Sequence, residues 1–388
     1  MLVAGRHKRA EQGHPWVYSN EIQMTATVKA LPPGSVVRLI AASGKPLGVA
    51  TFNPHALVAA RILDRDPARV IDRTFLAARL DAAVVLRRRL YAEPFYRLIH
   101  AEADDLPGLV IDRFGDVVVV QLNTAGMARL ESEVIAAIDA VLVPQAVVLR
   151  NEGAGRKLEG LSEEVRLVEG SVDGPVELVE NGVRFFADVR GGQKTGWFYD
   201  QRENRRVVAS LAKDRRMLDA YCFAGGFAVT AAATGAREVM AIDRSEPALA
   251  LAARAAAGNG VASRCRFKRA EAFAELEQLA TAGERFDIVV ADPPAFVKAK
   301  RDLGAGLRGY RKLARLAAAI IGSRGLLFIA SCSHNVGVAE FAEAVRRGLT
   351  DAGREGRILE SAGAAPDHPV HPFLPESAYL KSELLVLD

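Results

Sequence analysis

The sequence contains few cysteines and no long apolar run. Three cysteines occur among 388 residues, at positions 222, 265 and 332, without the paired spacing of a disulfide framework or a zinc site. No apolar stretch reaches the roughly 18 residues of a membrane-spanning helix. The first residues, MLVAGRHKRAEQGHPW, lack the apolar centre of a signal peptide. These absences predict a cytoplasmic protein in a reducing environment, with no bound metal and no membrane partner.

Net charge is also small, at +4, but it is unevenly distributed. Residues 1–80 carry eleven Arg and Lys against five Asp and Glu. A basic first module favours a polyanionic partner such as a nucleic acid. A basic surface that meets only solvent is the alternative.

Turn signals and apolar runs divide the chain into three predicted domains. Residues 1–72 alternate short β-type runs with Pro and Gly turns, which predicts a small β-rich, barrel-like module. Residues 73–180 are predicted to form a small α+β domain. Its predicted elements are a helix over Ile71–Leu90, two strands within Leu106–Gly126, a helix over Arg129–Val141 and a strand over Ala146–Arg150. The Gly-rich and acidic stretch from Asn151 to Gly174 is predicted to contain excursions and a link.

The third predicted domain, residues 181–388, alternates strand and helix patterns. Apolar runs of strand length separated by helical segments predict a doubly wound, Rossmann-like α/β domain. The last ten residues, YLKSELLVLD, are predicted to form its final strand.

Two apolar runs of this domain end in residues that can do chemistry. FDIVVADPPAF places Asp292 before two prolines, and GLLFIASCSHNV places Cys332 between two serines. As buried parallel strands, both would direct these residues into the crevice beyond the carboxyl edge of the sheet. A thiolate that adds to carbon 6 of a pyrimidine, with an acid near N3, makes carbon 5 a nucleophile. A small buried core cysteine is the alternative.

A reactive thiol needs a positive or hydrogen-bonding environment that lowers its pKa. Proximity in the sequence alone nominates His334, Lys298 and Arg308 for this role.

The first βα turn of the third domain predicts a cofactor without phosphates. The sequence Asp219–Phe227, DAYCFAGGF, is not the G-x-G-x-x-G of nicotinamide enzymes. An acid before the turn suits a cationic amino-acid group, and Gly225 lets the backbone approach a nucleoside. Asp243, which ends the next strand, can accept hydrogen bonds from both ribose hydroxyls. Together these features suggest S-adenosylmethionine; the alternative is a generic α/β domain in which Asp243 caps a helix.

Upstream, the segment Ala187–Arg206 combines a Gly-rich turn with Trp197, Phe198 and Tyr199. A lid over a ligand is one interpretation of this segment. A helix start with packed aromatic side chains is the other.

With these motifs, the sequence resembles the class I ribosomal RNA large-subunit methyltransferases of the methyltransferase I type, which form 5-methylcytosine in 23S RNA. Arg9–Ile22 and the run GVATFNPHALVAARIL resemble the PUA domain of that family, an RNA-binding module. Leu98–Asp116 is similar to its central α+β domain. Its catalytic motifs resemble GGQKTGWFYDQREN, DAYCFAGGFAV, DPPAFVKAK, RGYRKL and SCS.

The resemblance implies a role for each matching residue. Cys332 would be the nucleophile, and Asp292 would hold the target base and line the donor site. Asp243 would bind ribose, and Glu271 would lie near the adenine. The remaining implied donor-site residues are Asp219, Phe223, Gly225, Lys194, Phe198, Gln201 and Arg202. The implied partner is 23S ribosomal RNA, and a homodimer is a further hypothesis.

One position departs from the pattern of the wider group of RNA 5-methylcytosine enzymes. Many of those carry a second cysteine directly after the DPP, where this chain has Ala295. The base that removes the carbon 5 proton is therefore unassigned. The alternative functions are methylation of a purine nitrogen with a structural Cys332, an RNA-binding module with a vestigial α/β domain, and a nicotinamide oxidoreductase.

Overall fold

The structure is a computed structural model that describes residues 1–388 except for the side chain of residue 154. Contacts divide the chain into two compact units. The first consists of Met1–Val176, Asp188–Trp197 and Pro366–Ser377, and the second of Glu177–Ala187, Phe198–Ala365 and Ala378–Asp388. The three domain ranges 1–72, 73–180 and 181–388 stay a prediction. None of the described helices is long and apolar enough to cross a membrane.

The first sheet of the first unit has four antiparallel strands in the order β1-β4-β3-β2. Its strands are β1 Trp16–Tyr18, β2 Ser35–Ile40, β3 Pro46–Phe52 and β4 Val58–Asp64, and the helices beside it are α1 Lys8–Glu11 and α2 Ala26–Lys29. Leu39, Ala50 and Phe52 belong to its buried core. These four strands lie within residues 1–72, where the sequence predicted a β-rich module.

The second sheet of the first unit has five strands in the order β5-β6-β7-β8-β9. Its elements are α3 Arg73–Leu90, β5 Phe95–His100, β6 Leu109–Phe114, β7 Val117–Leu122, α4 Ala125–Arg129, α5 Glu131–Leu142, β8 Ala146–Asn151, α6 Ala154–Leu158 and β9 Glu164–Gly170. The strands β7 and β8 are parallel, with α4 and α5 in their connection. Leu109 and Ile111 of β6, two valines of β7 and leucines of α3 share one core.

Residues 151–174 are more regular than the predicted excursions and link. The strand β9 pairs antiparallel with β8 over its whole length. Every residue of β9 is at least partly exposed, as in an edge strand. An edge strand needs no continuous apolar run. The Glu and Arg residues of β9 interrupt its apolar pattern, so the sequence did not predict this strand.

The second unit contains a hairpin of β10 Val176–Glu180, which begins at the last residue of the first unit, and β11 Val183–Ala187. It also contains a seven-stranded sheet in the order β14-β13-β12-β15-β16-β18-β17. The strands of this sheet are β12 Arg216–Ala220, β13 Glu238–Asp243, β14 Cys265–Arg269, β15 Phe286–Ala291, β16 Ile321–Ser331, β17 Gly356–Ala362 and β18 Lys381–Leu387. The helices are α7 Arg202–Ser210, α8 Gly226–Ala233, α9 Glu246–Gly258, α10 Ala272–Thr281, α11 Leu303–Ala319 and α12 Val338–Asp351.

The strand order of the large sheet creates a switch point between β12 and β15. From β12 the chain proceeds to β13 and β14 on one side, whereas β15 and β16 lie on the other. These five strands are mutually parallel. Ligands of open α/β sheets bind beyond the carboxyl ends of the strands at such a point. The predicted Rossmann-like fold is confirmed, and the switch point locates its ligand crevice.

Candidate active site

The loop that follows β12, at the switch point of the sheet, contains residues in a strained backbone conformation. Tyr221 and Phe223 have φ angles of 66° and 50°, a left-handed conformation that non-glycine residues rarely adopt. Gly225 has a φ of 82°, and a Cβ atom there would lie 2.9 Å from the Cβ of Ala252 on α9. Strain of this kind is typical of ligand-binding loops. A glycine at position 225 therefore also allows α9 to pack close to this loop. The sequence motif did not reveal this second reason for the glycine.

Asp219 offers an unsatisfied acceptor at the base of this loop. Its side chain is 1% exposed, and Oδ2 accepts a hydrogen bond from the backbone N–H of Ala228 in α8 at 2.9 Å. Oδ1 is buried and has no hydrogen-bond partner among the described residues. Burial, with a smaller contribution from the charge of Asp292, raises the pKa of Asp219 to about 8. A cationic ligand group would satisfy this carboxylate and reverse that shift.

Asp243 joins two loops at the carboxyl edge of the sheet. Its Oδ2 accepts from the backbone N–H of Phe223 at 2.9 Å, and its Oδ1 accepts from that of Ser245 at 2.8 Å. The alternative in which Asp243 caps the next helix is wrong, because Ser245 is the N-cap of α9 and accepts from Ala248. A carboxylate oxygen has two lone pairs, so capacity remains for ribose hydroxyls.

Aromatic and acidic side chains surround the strained loop. The ring of Phe198 contacts that of Phe223 edge to face, with the centroids 5.1 Å apart. Glu271 caps α10 by accepting from the backbone N–H of Ala274 at 2.9 Å. Burial raises the pKa of Tyr221, and the negative charge of Glu271 adds to that effect. The structure therefore brings Phe198, Phe223 and Glu271 to the same loop.

Two other residues predicted to surround the methyl donor, Gln201 and Arg202, interact with other residues of the protein. Gln201 is buried and accepts from the Asn204 amide at 2.6 Å. The Arg202 guanidinium lies 3.6 Å from the Glu180 carboxylate in a buried ion pair. Lys194 belongs to the first unit and has a φ of 48°.

The segment Ala187–Arg206 is packed rather than open. Trp197 and Tyr199 are each only 1% exposed, and α7 begins at Arg202. The start of α7 agrees with the helix-start interpretation, and the lid over a ligand stays a prediction.

Asp292 and Cys332 follow the adjacent parallel strands β15 and β16. The strands remain paired up to Ala291 and Ile329, so their ends emerge side by side. The Cys332 thiol lies 4.0 Å from the carbonyl oxygen of Pro293, which follows Asp292. Both side chains are partly exposed. The structure thus brings the predicted thiol and carboxylate loops together at the edge where ligands bind.

A buried tyrosine holds the serines on either side of Cys332. The Tyr310 hydroxyl in α11 is hydrogen-bonded to Ser331 Oγ at 2.7 Å and to Ser333 Oγ at 2.9 Å. The Ser333 hydroxyl in turn accepts from the backbone N–H of Val297, beyond the DPP. The two loops are therefore tied to each other and to one helix.

Lys381, the first residue of β18, is a residue of this region that the sequence reasoning missed. It is 5% exposed, and its ammonium donates to the carbonyl oxygens of Ser333 at 2.7 Å and Val336 at 2.6 Å. Its signal was a lysine inside an apolar strand pattern, YLKSELLVLD. The candidates Lys298 and Arg308 have exposed side chains.

His334 stacks on another residue that was missed, Tyr379, with ring centroids 5.1 Å apart. The hydroxyl of Tyr379 donates to Asp200 Oδ2 at 2.5 Å. These three polar side chains form a connected group beside the Cys332 loop.

Comparisons with known proteins agree with this architecture. Residues 164–361 match the profile of the S-adenosylmethionine-dependent methyltransferases, and residues 1–65 match that of a PUA-like domain. "Ribosomal RNA large subunit methyltransferase I" of Tolumonas auensis is 36% identical over 98% of this chain and 97% of its own. The protein of the same name from Cronobacter sakazakii is 35% identical over the same shares. This chain belongs to the ribosomal RNA large subunit methyltransferase I family.

A solved structure supports the fold of this chain. A proposed methyltransferase complexed with SAH has a TM-score of 0.83 at 20% identity, and the match covers 98% of this chain and 97% of that one. The cofactor of the family member is S-adenosylmethionine. The residues present fit that group, because Asp219 has a buried acceptor without a hydrogen-bond partner among the described residues and Asp243 lies at the neighbouring strand end.

Proposed function

We propose that this protein methylates carbon 5 of a cytosine in 23S ribosomal RNA through a covalent bond to Cys332. The observation that carries the proposal is the position of Cys332 at the end of β16, with its thiol 4.0 Å from the Asp292-Pro293-Pro294 loop. Partial exposure of the thiol supports a reactive group over a core cysteine. The names of the relatives support ribosomal RNA as the substrate.

Each step of the reaction assigns a role to a residue. The Cys332 thiolate bonds to carbon 6, the ring electrons move toward N3, and N3 takes the proton of the Asp292 carboxyl. Carbon 5 then carries the electron density that receives the methyl group. After a base removes the carbon 5 proton, the sulfur–carbon bond breaks, the 5,6 double bond re-forms and N3 returns its proton to Asp292.

The methyl donor is assigned to the crevice at the switch point. S-adenosylmethionine, when bound, supplies an electrophilic methyl group from its sulfonium. Asp219 would pair with its ammonium group and Asp243 with its ribose, while Phe198, Phe223, Gly225 and Glu271 would line the remainder of the site. Lys194, Gln201 and Arg202 remain proposed contributors through the segment that carries them.

The first module supports the choice of RNA. Residues 1–65 are PUA-like, and residues 1–80 have the basic excess noted above. Phosphate contacts from such a module make RNA affinity fall steeply with salt. The target cytosine must be single-stranded or flipped out to reach the crevice. Action on ribosomal RNA also supports a cytoplasmic location, and the homodimer stays a hypothesis.

The deciding experiment supplies labelled S-adenosylmethionine and unmodified 23S RNA, either free or in assembled subunits, and identifies the product by nucleoside mass spectrometry. We expect 5-methylcytidine with the intact protein and none with Cys332→Ala. Cys265→Ala is the matched control, because Cys265 begins β14, which β13, β12 and β15 separate from β16. Methylation that persists in Cys332→Ala, or that appears on a purine nitrogen, would instead support the alternative with a structural Cys332.

A second assay tests the covalent bond itself. RNA that contains 5-fluorocytidine has no carbon 5 proton to lose, so the methylated adduct cannot eliminate the thiol. We expect a complex with this RNA that survives denaturing electrophoresis for the intact protein and for Cys265→Ala. Its absence in the intact protein, with methylation normal on ordinary RNA, would refute the covalent route.

A further inference from the structure

We propose that Lys381 is a positioning residue that stabilises the thiolate form of Cys332 and orients its loop, an inference that rests on the proposed function. The reaction needs a thiolate near neutral pH, whereas an ordinary cysteine thiol has a pKa of about 8.5. Lys381 supplies a buried cation where the sequence predicted only exposed candidates.

Two hydrogen bonds fix the ammonium beneath the Cys332 loop. Lys381 Nζ donates to the carbonyl oxygens of Ser333 and Val336, which turns the loop around the cation. An ammonium has three donors, and these two bonds are its hydrogen bonds among the described residues. A strand pairing places Lys381 directly opposite Ser331, one residue before the thiol. The ammonium is therefore hydrogen-bonded to the same loop that carries the thiol.

The electrostatics of the loop agree with an ammonium–thiolate pair. Burial lowers the pKa of Lys381, and the charges of Cys332 and then Glu340 oppose that effect. Burial also raises the pKa of Tyr310, hydrogen bonds with the two serines oppose that effect, and the charge of Cys332 adds to it. Of these two groups that interact with Cys332, Lys381 is the one that can carry a positive charge, and a nearby cation favours a thiolate.

Other titratable groups also border this loop and enter the balance. Asp292 belongs to the facing DPP loop, and His334 follows Cys332 by two residues. Glu340 on α12 competes for the same ammonium. Glu383 points to the same face of β18 as Lys381, but burial raises its pKa and favours its neutral form. Lys381 is the buried cation among these groups, so its removal should dominate the change at the thiol.

The test measures how fast iodoacetamide alkylates Cys332 between pH 5 and pH 10, with peptide mass spectrometry to separate it from Cys222 and Cys265. Only the thiolate reacts, so the midpoint of the rate profile gives the pKa of the thiol. In Lys381→Met we expect this midpoint to rise by about one pH unit or more, since a nearby opposite charge shifts a pKa by that amount. Lys381→Arg, which keeps the charge, should remain near the intact protein.

Tyr310→Phe is the matched control for a purely structural role. It removes two hydrogen bonds that hold the same loop but leaves the cation in place. If Lys381 only holds the loop in place, Lys381→Met will change the maximal alkylation rate at high pH, as Tyr310→Phe does. The pH at the midpoint of the rate profile will then stay unchanged. That outcome overturns the proposal.

A different variant tests the proposal if Lys381→Met does not fold. Glu340→Gln removes an anion that attracts the same ammonium, so we expect the midpoint to fall by about 0.3 unit, as for a partly screened charge. A midpoint that stays or rises overturns the proposal. Alkylation requires neither RNA nor methyl donor, so its result stands apart from the methyl-transfer assay: a shifted midpoint with Cys332→Ala still active would refute only the proposed function.

Discussion

Asp219 is expected to couple methyl-donor binding to the loss of a proton. In the ligand-free protein, burial raises its pKa to about 8, so the carboxyl is largely protonated at pH 7. A ligand ammonium that pairs with Oδ1 requires the carboxylate and stabilises it. Binding must therefore remove the proton whenever the solution is more acidic than the ligand-free pKa.

The magnitude follows from that pKa. Each pH unit below it costs about 1.4 kcal/mol, or a factor of ten in affinity. Between pH 8 and pH 6 the affinity for S-adenosylhomocysteine, which has the same ammonium, should fall roughly fiftyfold, because about half of the carboxyls are already ionised at pH 8 and only about 1% at pH 6. Above pH 8 the dependence should level off, because the carboxyl is then already ionised.

Isothermal titration calorimetry in two buffers of different ionisation enthalpy measures the affinity and the number of protons released on binding. At pH 6.5 we expect nearly one proton to be released for each ligand bound. Asp219→Asn is the control: its amide oxygen can still accept from Ala228, but it has no proton to lose. Affinity that is constant from pH 6 to pH 8.5, without proton release, would show that Asp219 is already ionised or does not contact the ammonium.

Three further predictions concern stability, each measured by urea unfolding. Ser245→Ala should lower the free energy of unfolding by about 1 kcal/mol, because it removes the cap of α9, whereas Ser245→Asp should retain most of it. Glu180→Gln should cost about 3–5 kcal/mol, because it removes the buried carboxylate that Arg202 and Arg205 share; an effect below about 1 kcal/mol would contradict this. Gly126→Ala should destabilise by about 1–3 kcal/mol, since its Cβ would lie 2.4 Å from Thr51, and Gly155→Ala, with open space around it, should not.

Continuous apolar runs made the centre of the sheet predictable. FDIVVA and LLFIAS carry side chains buried on both faces, so their strands and the residues that follow them could be placed from the sequence. The same logic located Asp219 and Asp243 at strand ends. Edge strands carry no such pattern, and β9 was missed for that reason; the separate short hairpin of β10 and β11 was also not predicted.

The roles of side chains were harder to predict than their positions. A glycine motif does not distinguish a ligand's approach from helix packing, and Gly225 meets Ala252 as well as the strained loop. Arg202 matches a donor-site motif by its place in the sequence, yet its guanidinium faces Glu180, whose position depends on a hairpin that was not foreseen. A sequence motif predicts where a residue lies in the fold. The contacts of its side chain depend on elements elsewhere in the chain, which the motif does not describe.

Lys381 shows why the chemistry around Cys332 required the three-dimensional structure. In a parallel sheet, every strand brings its last residues to the ligand edge. The strand β18 runs antiparallel to β16, so it brings its first residue there instead, and Lys381 pairs with Ser331 although 50 positions separate them in the sequence. One reversed strand thus delivers a cation to an edge that β15 and β16 supply with an acid and a thiol. If Lys381→Met raises the midpoint of Cys332 alkylation, the antiparallel strand sets the acidity of the thiol as well as extending the sheet.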